Sequence, residues 1–587
     1  MHASEDPTWD LSSILSDLDA FDAQATALDA RAQALCSHAD ALGAPGQDPA
    51  WLELIPALAE LSDEIAEAGA WAACAAAADT GSSALARAEA RATALAARID
   101  RAWSTPGSLL ARCPQADFDR LVADPALQPH APALHNARAR RRVLLPTGEQ
   151  QLFDDLAEDA LHAWGGRYRR LSGALQVELD GRQVSTSQAR NLMEAADGAL
   201  RSRAFDALEA AWQGRAEECA DLLTHIVGVR LKLHDRLGVD ELAIPLVRQR
   251  LEPATLDALI TACQQARPLV DRYLAARARL LGTQDLEWQD LGAPVGGGDL
   301  RMSFPEASSL VADQLGAFSP EMGRFVRAAL EGRWVEAQDR QGKRAGAFCA
   351  GFPKSRQSRV FLTFGGGPGS VRTLAHELGH AYHNQVMQDL PWAQRRLTSC
   401  LAETASTFAE TVVRDAMLRA ASDPATRLSL IDRELADATT FLANIPTRFQ
   451  FERRLFALRR EGPLDPDQLS REMLALQQAW YGGGLRRGFP LFWADKLHFY
   501  LTQAPFYNFP YSFGYLFSAM VHQRASQEGP RWAEQWRELL RATGAGPGEQ
   551  VATRFLGVDL RSPEPWAQSF ARLWPLVEEL EAAAPPA

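Results

Sequence analysis

The sequence has 587 residues, more than one hydrophobic core usually holds, so two or more lobes are expected. Hydrophobic residues make up 47% and charged residues 23% of the chain, which is typical of a globular protein. The formal net charge is -13, and an acidic chain gains nothing from binding a polyanion, which argues against a nucleic-acid partner.

The first predicted elements are helices. Residues 10–110 are rich in Ala, Leu, Glu and Arg at helical spacing, and long helices are again predicted over 187–235. Between them, Leu175–Ser185 alternates apolar and polar residues around Asp180-Gly181, which predicts a β-hairpin. We place a domain boundary near 190, so that an N-terminal helical region covers 1–190 and a second domain covers 191–580.

A short β insertion is predicted in the middle of the chain. The segment "SRVFLTF", residues 358–364, is a strand candidate that leads through "GGGPGS" into a predicted helix over 371–388, with Ser370 as its N-cap. Helical patterning then continues to the C-terminus. The predicted fold is therefore mostly α, with a small β-sheet next to this helix.

Cysteine usage and the N-terminus indicate a reducing compartment. The seven cysteines are scattered, odd in number and free of any CxxC pair, which argues against a disulfide framework. The opening "MHASEDPTWD" lacks the basic and apolar regions of a signal peptide, and no run approaches the ~20 apolar residues of a membrane helix. We expect a cytoplasmic protein without a membrane partner.

The stretch "TLAHELGHAYH", Thr373–His383, carries the clearest chemical signal. On a helix, His376 and His380 lie one turn apart on the same face, which is the spacing of two imidazoles that bind one zinc ion. Glu377 flanks that face, where it can take a proton from zinc-bound water. The alternative is a hydrogen-bonded pair of core histidines, because buried histidines need partners of some kind.

A zinc site needs a third protein ligand and an open fourth position. Glu403 lies downstream in an apolar, helix-forming stretch, and Glu410 follows seven residues later on the same face. Glu403 is the candidate third ligand, and Glu410 is predicted to support the ligands from behind. The alternative is a solvated charged face, but the surrounding residues show no clean polar side.

These residues resemble a known family. "HELGHAYH" followed by "ETASTFAE" is similar to the zinc metallopeptidases of the thimet oligopeptidase and oligoendopeptidase F family, and closest to the oligoendopeptidase F branch. The resemblance extends to "FYNFPYSFGYLFS", Phe506–Ser518, and covers roughly 190–575. It implies that His376, His380 and Glu403 bind one zinc ion and that Glu377 is the catalytic base.

The resemblance also implies an architecture and a substrate class. The expected fold has two helical lobes around a deep substrate channel with zinc on its floor, and 191–580 becomes the catalytic domain. The implied activity is a zinc-dependent endopeptidase that hydrolyses oligopeptides by Glu377-assisted attack of zinc-bound water. Cobalt or manganese in place of zinc is left open by the residues.

His383 lies one turn beyond His380 on the same helix face, where it either hydrogen-bonds within the site or fills the core. We predict that it supports the ligands and is not itself one. An aromatic stretch over 498–517 begins another helix, with Pro510 in its first turn. Aromatic core is the ordinary interpretation of such a stretch, but a tyrosine hydroxyl can also stabilise an oxyanion.

In the family that the chain resembles, tyrosines and a histidine from this aromatic stretch stabilise the oxyanion of the reaction. Tyr515 and Tyr507 are the first candidates for that role here, followed by Tyr511 and His498.

Two other functions remain open at this stage. A zinc carboxypeptidase or peptidyl-dipeptidase would use the same ligands together with a cation that binds the substrate C-terminus. A non-catalytic peptide-binding protein would hold an inert metal. A purely structural zinc site usually has four protein ligands and needs no adjacent base, which Glu377 argues against.

Overall fold

The computed structural model describes residues 6–297 and 300–586. Helices dominate it and the sheets are small, so the predicted mostly α fold is confirmed. The chain divides into two compact units, each assembled from three separate stretches of sequence.

The first unit comprises the described residues within 1–141, 300–417 and 518–558. Two helices, Thr404–Ala420 and Phe509–Glu528, contribute residues to both units. The α-helices that lie wholly or partly in the first unit are Leu18–Asp40, Ala50–Ala78, Ser83–Arg112, Gln115–Ala123, Ala131–Ala139, Phe304–Phe318, Pro320–Glu331, Pro368–Met387, Ser399–Ala402, Thr404–Ala420, Phe509–Glu528, Ala533–Ala542 and Gly548–Leu556.

The second unit comprises the described residues within 142–299, 418–517 and 559–587. Its further α-helices are Thr147–Ala157, Ala163–Ala174, Thr186–Leu192, Gly198–Gln213, Ala216–Leu237, Ala243–Gln249, Pro253–Gln265, Arg267–Leu280, Pro424–Thr439, Ile445–Glu461, Pro466–Tyr481, Phe492–Asp495, Pro563–Phe570 and Trp574–Ala583. The domain boundary near 190 stays a prediction.

Over the residues that the structure describes, seven short strands form three sheets. They are β1 (Gln176–Leu179), β2 (Arg182–Ser185), β3 (Leu286–Glu287), β4 (Val335–Glu336), β5 (Phe348–Phe352), β6 (Gln357–Phe361) and β7 (Leu485–Arg487). In the second unit, β1 and β2 form the predicted hairpin, with positive φ angles at Asp180 and Gly181 in the turn, while β3 pairs in parallel with β7. The three-stranded sheet β4–β6–β5 lies in the first unit.

The predicted strand before the motif is the centre of that sheet. β6 pairs antiparallel with β5, from Phe348 opposite Phe361 to Phe352 opposite Gln357, and parallel with β4. Phe352 and Phe361 also pack into the apolar core made by the first three helices of the chain. This core fixes the position of the sheet.

The helix that carries the histidines, Pro368–Met387, is called the motif helix below. It packs against the sheet, where the side-chain amide of Asn384 donates to Ser358 Oγ at 3.2 Å. The small sheet beside the motif helix is therefore as predicted.

One detail of the motif helix is wrong in the sequence prediction. The helix begins at Pro368 with Gly367 at the N-cap, three residues before the predicted start. Proline is pre-organised for a first helical position, and here it outweighs the capping preference of serine. Ser370 Oγ instead accepts a hydrogen bond from the Gly365 N–H at 3.0 Å, which holds the loop before the helix.

None of the seven cysteines, all of which lie in the described part of the chain, forms a disulfide, and six of them are buried. Within 6–297 and 300–586, every helix is too short or too polar to cross a lipid bilayer.

Candidate metal centre

The motif helix presents His376 and His380 on one face. Its apolar residues Leu374, Leu378 and Tyr382 are fully buried and hold the helix in the core of the first unit. The two imidazoles are partly exposed, and their Nε2 atoms lie 3.1 Å apart. A buried helix therefore aims two rigid imidazoles at one point that remains accessible.

Gly379 allows a second chain segment to reach these histidines. A Cβ atom at this position would lie 2.7 Å from the backbone oxygen of Ala405 and 2.7 Å from the Cα of Ser406. Real Cβ atoms do not approach that closely, so only glycine permits the contact. The helix Thr404–Ala420, called the carboxylate helix below, thus packs directly against the motif helix.

Glu403 lies at the junction between two helices. The short helix Ser399–Ala402 ends just before it and the carboxylate helix begins just after it, so Glu403 is not inside a continuous helix. Ser406 Oγ donates to Glu403 Oε2 at 2.9 Å, and Ser518 Oγ donates to the Glu403 backbone oxygen at 3.3 Å. These contacts fix both the carboxylate and the backbone that carries it.

The three predicted ligands meet. Glu403 Oε2 lies 3.4 Å from His376 Nε2 and 3.4 Å from His380 Nε2, and the two nitrogens are 3.1 Å apart. A tetrahedral zinc ion bound at about 2.0–2.1 Å separates its ligand atoms by roughly 3.3 Å, which matches this triangle. Among the residues that the structure describes, this is the one His, Cys, Asp or Glu cluster suited to hold a metal ion.

A second carboxylate supports the first histidine. Glu410 Oε1 lies 2.5 Å from His376 Nδ1, on the far side of the ring from Glu403. Arg372 contacts the other oxygen, Glu410 Oε2, at 3.3 Å. A carboxylate at Nδ1 holds the proton on that nitrogen and leaves Nε2 free as a metal ligand.

Charge within the cluster moves the pKa values of its members. Burial opposes protonation of His376, yet the carboxylates of Glu410, Glu377 and Glu403 raise its pKa to about 9. Burial acts against ionisation of Glu403, but hydrogen bonding to His380 and the charges of both imidazoles lower its pKa to about 2. The protein thus stabilises the ionised form of Glu403, which is the form that binds a cation.

Glu377 has no hydrogen-bond partner for one of its carboxylate oxygens. Its side chain is buried, and Oε2 makes no hydrogen bond to any described residue. Burial raises the pKa of Glu377 above its ordinary value, although the imidazoles of His376 and His380 act in the opposite direction. An unpaired carboxylate with a raised pKa beside a candidate metal site is chemically suited to accept a proton.

His383 points away from the triangle. Its Nε2 lies 2.9 Å from Thr543 Oγ1 and 3.3 Å from the Leu540 backbone oxygen, in the core of the first unit. Burial lowers the pKa of His383 to about 4, so the ring is neutral. This neutral ring joins the motif helix to the helix Ala533–Ala542.

The predicted oxyanion donors lie in the second unit. The Tyr511 hydroxyl donates to the Tyr507 hydroxyl at 2.7 Å, and His498 stacks on the Tyr507 ring at a centroid distance of 5.5 Å. Burial lowers the pKa of His498 to about 4. Tyr515 lies elsewhere in the unit, stacked on Phe441.

Sequence reasoning missed the residues that bring the ligands together. Gly379 carried a usable signal, because glycine inside a helix costs about 1 kcal/mol relative to alanine and so indicates a close contact. Ser406, Ser518 and Arg372 carried none, since their roles depend on contacts with residues distant in sequence.

The segment that carries the cluster also matches a known protein family. Residues 318–572, which include every residue of the cluster, match the family model described as Peptidase family M3.

Several curated proteins are similar in sequence. The chain is 23% identical to the chromosomal oligoendopeptidase F of Lactococcus lactis subsp. cremoris, over 68% of this chain and 66% of the relative. It is 24% identical to oligopeptidase PepF of Bacillus subtilis (strain 168), over 65% of this chain and 58% of the relative. These alignments cover less than two thirds of either relative.

Solved structures share the fold over nearly the whole chain. A putative peptidase from Chlamydophila abortus superposes with a TM-score of 0.84 at 19% identity, covering 98% of both chains. Oligoendopeptidase-F from Enterococcus faecium gives 0.70 at 19% identity, covering 96% of this chain and 98% of that one. The resemblance predicted from the sequence is confirmed: residues 318–572 match Peptidase family M3, and the chain is similar to proteins named oligoendopeptidase F.

Proposed function

We propose that this chain is a zinc-dependent endopeptidase that hydrolyses peptide bonds within oligopeptides. The observation that carries the proposal is the triangle of His376 Nε2, His380 Nε2 and Glu403 Oε2, whose sides of 3.1–3.4 Å suit one tetrahedral ion. The M3 domain and the similarity to proteins named oligoendopeptidase F support the substrate class. Three protein ligands leave the fourth position open, as a catalytic site requires.

The chain's own residues supply the remaining chemistry. A zinc ion held by the triangle would polarise the scissile carbonyl and acidify a water molecule. Glu377 accepts a proton from the attacking water through its unpaired carboxylate oxygen and delivers it to the leaving amine. Glu410 keeps the His376 ring in one orientation and one tautomer.

Oxyanion stabilisation is assigned to the tyrosines of the second unit, with Tyr515 and Tyr507 first and then Tyr511 and His498. When Tyr511 donates to Tyr507, the Tyr507 hydroxyl proton is free to donate in turn. Tyr507 is also exposed, unlike the buried Tyr515. One such donor contributes roughly 2.7–4 kcal/mol to transition-state stabilisation.

Replacing Glu377 by Gln tests the assigned chemistry. The variant keeps the shape of the side chain but cannot accept a proton, so turnover of a quenched fluorescent oligopeptide should fall by about 10²–10⁴-fold. Zinc content, measured on the same sample, should stay at one equivalent because Glu377 is not a ligand. Activity at the native level would contradict the proposal.

A further inference from the structure

A cavity of about 420 Å³ lies within the second unit. Its walls come from the stretches 190–208, 273–292, 436–448 and 481–496, so the metal ligands and Glu377 take no part in it. The volume falls in the range of small-molecule sites, about 300–1,000 Å³. The cavity has no role in the metal-dependent reaction proposed above.

One side of the cavity carries three cations, two of which share one carboxylate in direct ion pairs. Arg190 contacts Asp495 Oδ1, and Lys496 Nζ lies 3.3 Å from Asp495 Oδ2. The indole N–H of Trp212 also donates to Asp495, at 2.8 Å. Arg448 instead donates to the amide oxygen of Asn508 at 3.2 Å, so its hydrogen bond there goes to a neutral group.

Four buried polar atoms in these walls lack a hydrogen-bond partner among the described residues. Two are donors, the Nε–H groups of Arg190 and Arg448. The other two are acceptors, Asn444 Oδ1 and Gln289 Oε1. A buried polar group without a partner costs about 1–3 kcal/mol, and bound water or a ligand that both accepts and donates would satisfy the four around this cavity.

An aromatic wall completes the cavity. Trp288 packs edge-on against Phe492 with ring centroids 4.8 Å apart, and the Tyr481 ring centroid lies 5.8 Å from that of the same indole. Arg448 and Lys496 stand over the Phe492 ring at 5.3 and 5.0 Å. The cations are therefore held at the edge of an apolar surface that suits a hydrocarbon or aromatic side chain.

We propose that this cavity binds a dipeptide-sized zwitterion with apolar side chains. The guanidinium groups of Arg190 and Arg448 receive its carboxylate, while Asn444 and Gln289 accept from its N–H groups. The aromatic wall receives its side chains.

Carboxylates in the walls select against other anions. Glu194 also lines the cavity, which places negative charge where a phosphate or nucleotide would add more. A ligand that carries an ammonium group avoids that repulsion. The inference does not depend on peptidase activity, because it rests on residues outside the metal cluster.

Calorimetric titration of the dipeptide Leu-Phe into the full-length Glu377→Gln protein tests the proposal. Leu-Phe should bind, and removing either charge, in Leu-Phe amide or N-acetyl-Leu-Phe, should weaken Kd by about tenfold or more. Free phenylalanine should bind more weakly than Leu-Phe, and equally tight binding would contradict a dipeptide-sized site. Absence of Leu-Phe binding at millimolar concentration, or its displacement by inorganic phosphate, would overturn the proposal.

Variants locate the binding. Arg448→Met removes a donor and Ala436→Phe fills the cavity without removing a charge, so each should weaken Kd by about tenfold or more. Arg203→Met, which breaks an exposed pair with Asp180 in the same unit, is the matched control and should leave Kd unchanged. His376→Ala should also bind normally. Loss of binding in His376→Ala, or native binding in folded Ala436→Phe, would show that the dipeptide binds elsewhere.

Discussion

Single residues decide whether the metal triangle forms. Glu403 reaches the histidines because the helical structure is interrupted at that residue. Hydrogen bonds from Ser406 and Ser518 then fix its position. Gly379 removes the side chain that would otherwise separate the two helices. The ligand spacing is thus a property of packing around the motif as well as of the motif itself.

Gly379→Ala should damage the site although alanine is the better helix former. Its methyl group would overlap the backbone at Ala405 and Ser406, so the carboxylate helix must shift and carry Glu403 with it. We expect a loss of about 1–3 kcal/mol in stability together with weaker zinc binding.

Thermal unfolding and zinc titration measure these effects. Gly69→Ala is the matched control, since that glycine lies in the helix Ala50–Ala78 with open space around its Cβ position. It should be neutral or slightly stabilising. Equal behaviour of the two variants would contradict the role of Gly379.

At the scale of elements, a buried ion pair fixes the segment that leads to the predicted tyrosines. Arg230 lies 3.8 Å from Glu452 and donates to the Leu501 backbone oxygen. Glu452 Oε1 accepts from the Phe506 N–H at 2.8 Å, where Phe506 has a φ of 54°. The pair therefore holds both ends of the segment 501–506, within the second unit.

This pair predicts a pH dependence of stability. Burial raises the pKa of Glu452 from 4.5 to about 7, against the opposing effects of Arg230 and the Phe506 N–H. The folded protein then binds this proton more tightly than the unfolded chain. Its contribution to stability is complete below the unfolded pKa of 4.5 and is lost as the pH rises through about 7.

Urea unfolding at about pH 5 and about pH 7.5 measures the effect. The free energy of unfolding should fall by roughly 1–3 kcal/mol more in the wild type than in Glu452→Gln, which carries no titratable group. Glu472→Gln, in an exposed pair with Arg454, is the control and should behave as the wild type. Identical pH dependence in Glu452→Gln would exclude Glu452 as the source.

Local elements were largely predictable from the sequence. The hairpin at Asp180-Gly181, the strand before the motif and the motif helix all follow from residue periodicity and turn chemistry. The start of the motif helix was missed because Pro368 competes with Ser370. The break at Glu403 was missed because the flanking residues are good helix formers, and tertiary contacts overrode that preference.

The candidate site was predictable where its residues are close in sequence. His376, Glu377 and His380 follow from one turn of helix, and Glu403 needed the cost of burying a carboxylate as an additional argument. The choice among Tyr507, Tyr511 and Tyr515 was not predictable, because hydroxyl placement depends on contacts such as the stacking of Tyr515 on Phe441.

At the scale of the whole molecule, each unit draws on three stretches of chain. Local sequence patterns do not encode which distant stretches pack together. The sequence therefore predicted lobes but not the stretches that form each one. Bringing such distant stretches together costs conformational entropy, and this cost is offset only when the hydrophobic cores are complete.

The proposed endopeptidase activity predicts tolerance of a blocked C-terminus. Internal cleavage does not require the terminal carboxylate, so an oligopeptide and its C-terminal amide should be hydrolysed with kcat/KM values of the same order. Mass spectrometry of the products gives both the rate and the cleaved bond. Release of one or two C-terminal residues only, lost on amidation, would instead indicate a carboxypeptidase or peptidyl-dipeptidase.

The metal content of Glu403→Ala tests the central claim most directly, because it asks whether a third ligand comes from the residue that precedes the carboxylate helix. Glu377→Gln is the matched control, a change at a buried glutamate in the same cluster that is not assigned to the metal. After dialysis against limiting zinc, the account predicts one equivalent of zinc in the wild type and Glu377→Gln, and none in a folded Glu403→Ala. A full equivalent of zinc in Glu403→Ala would contradict it.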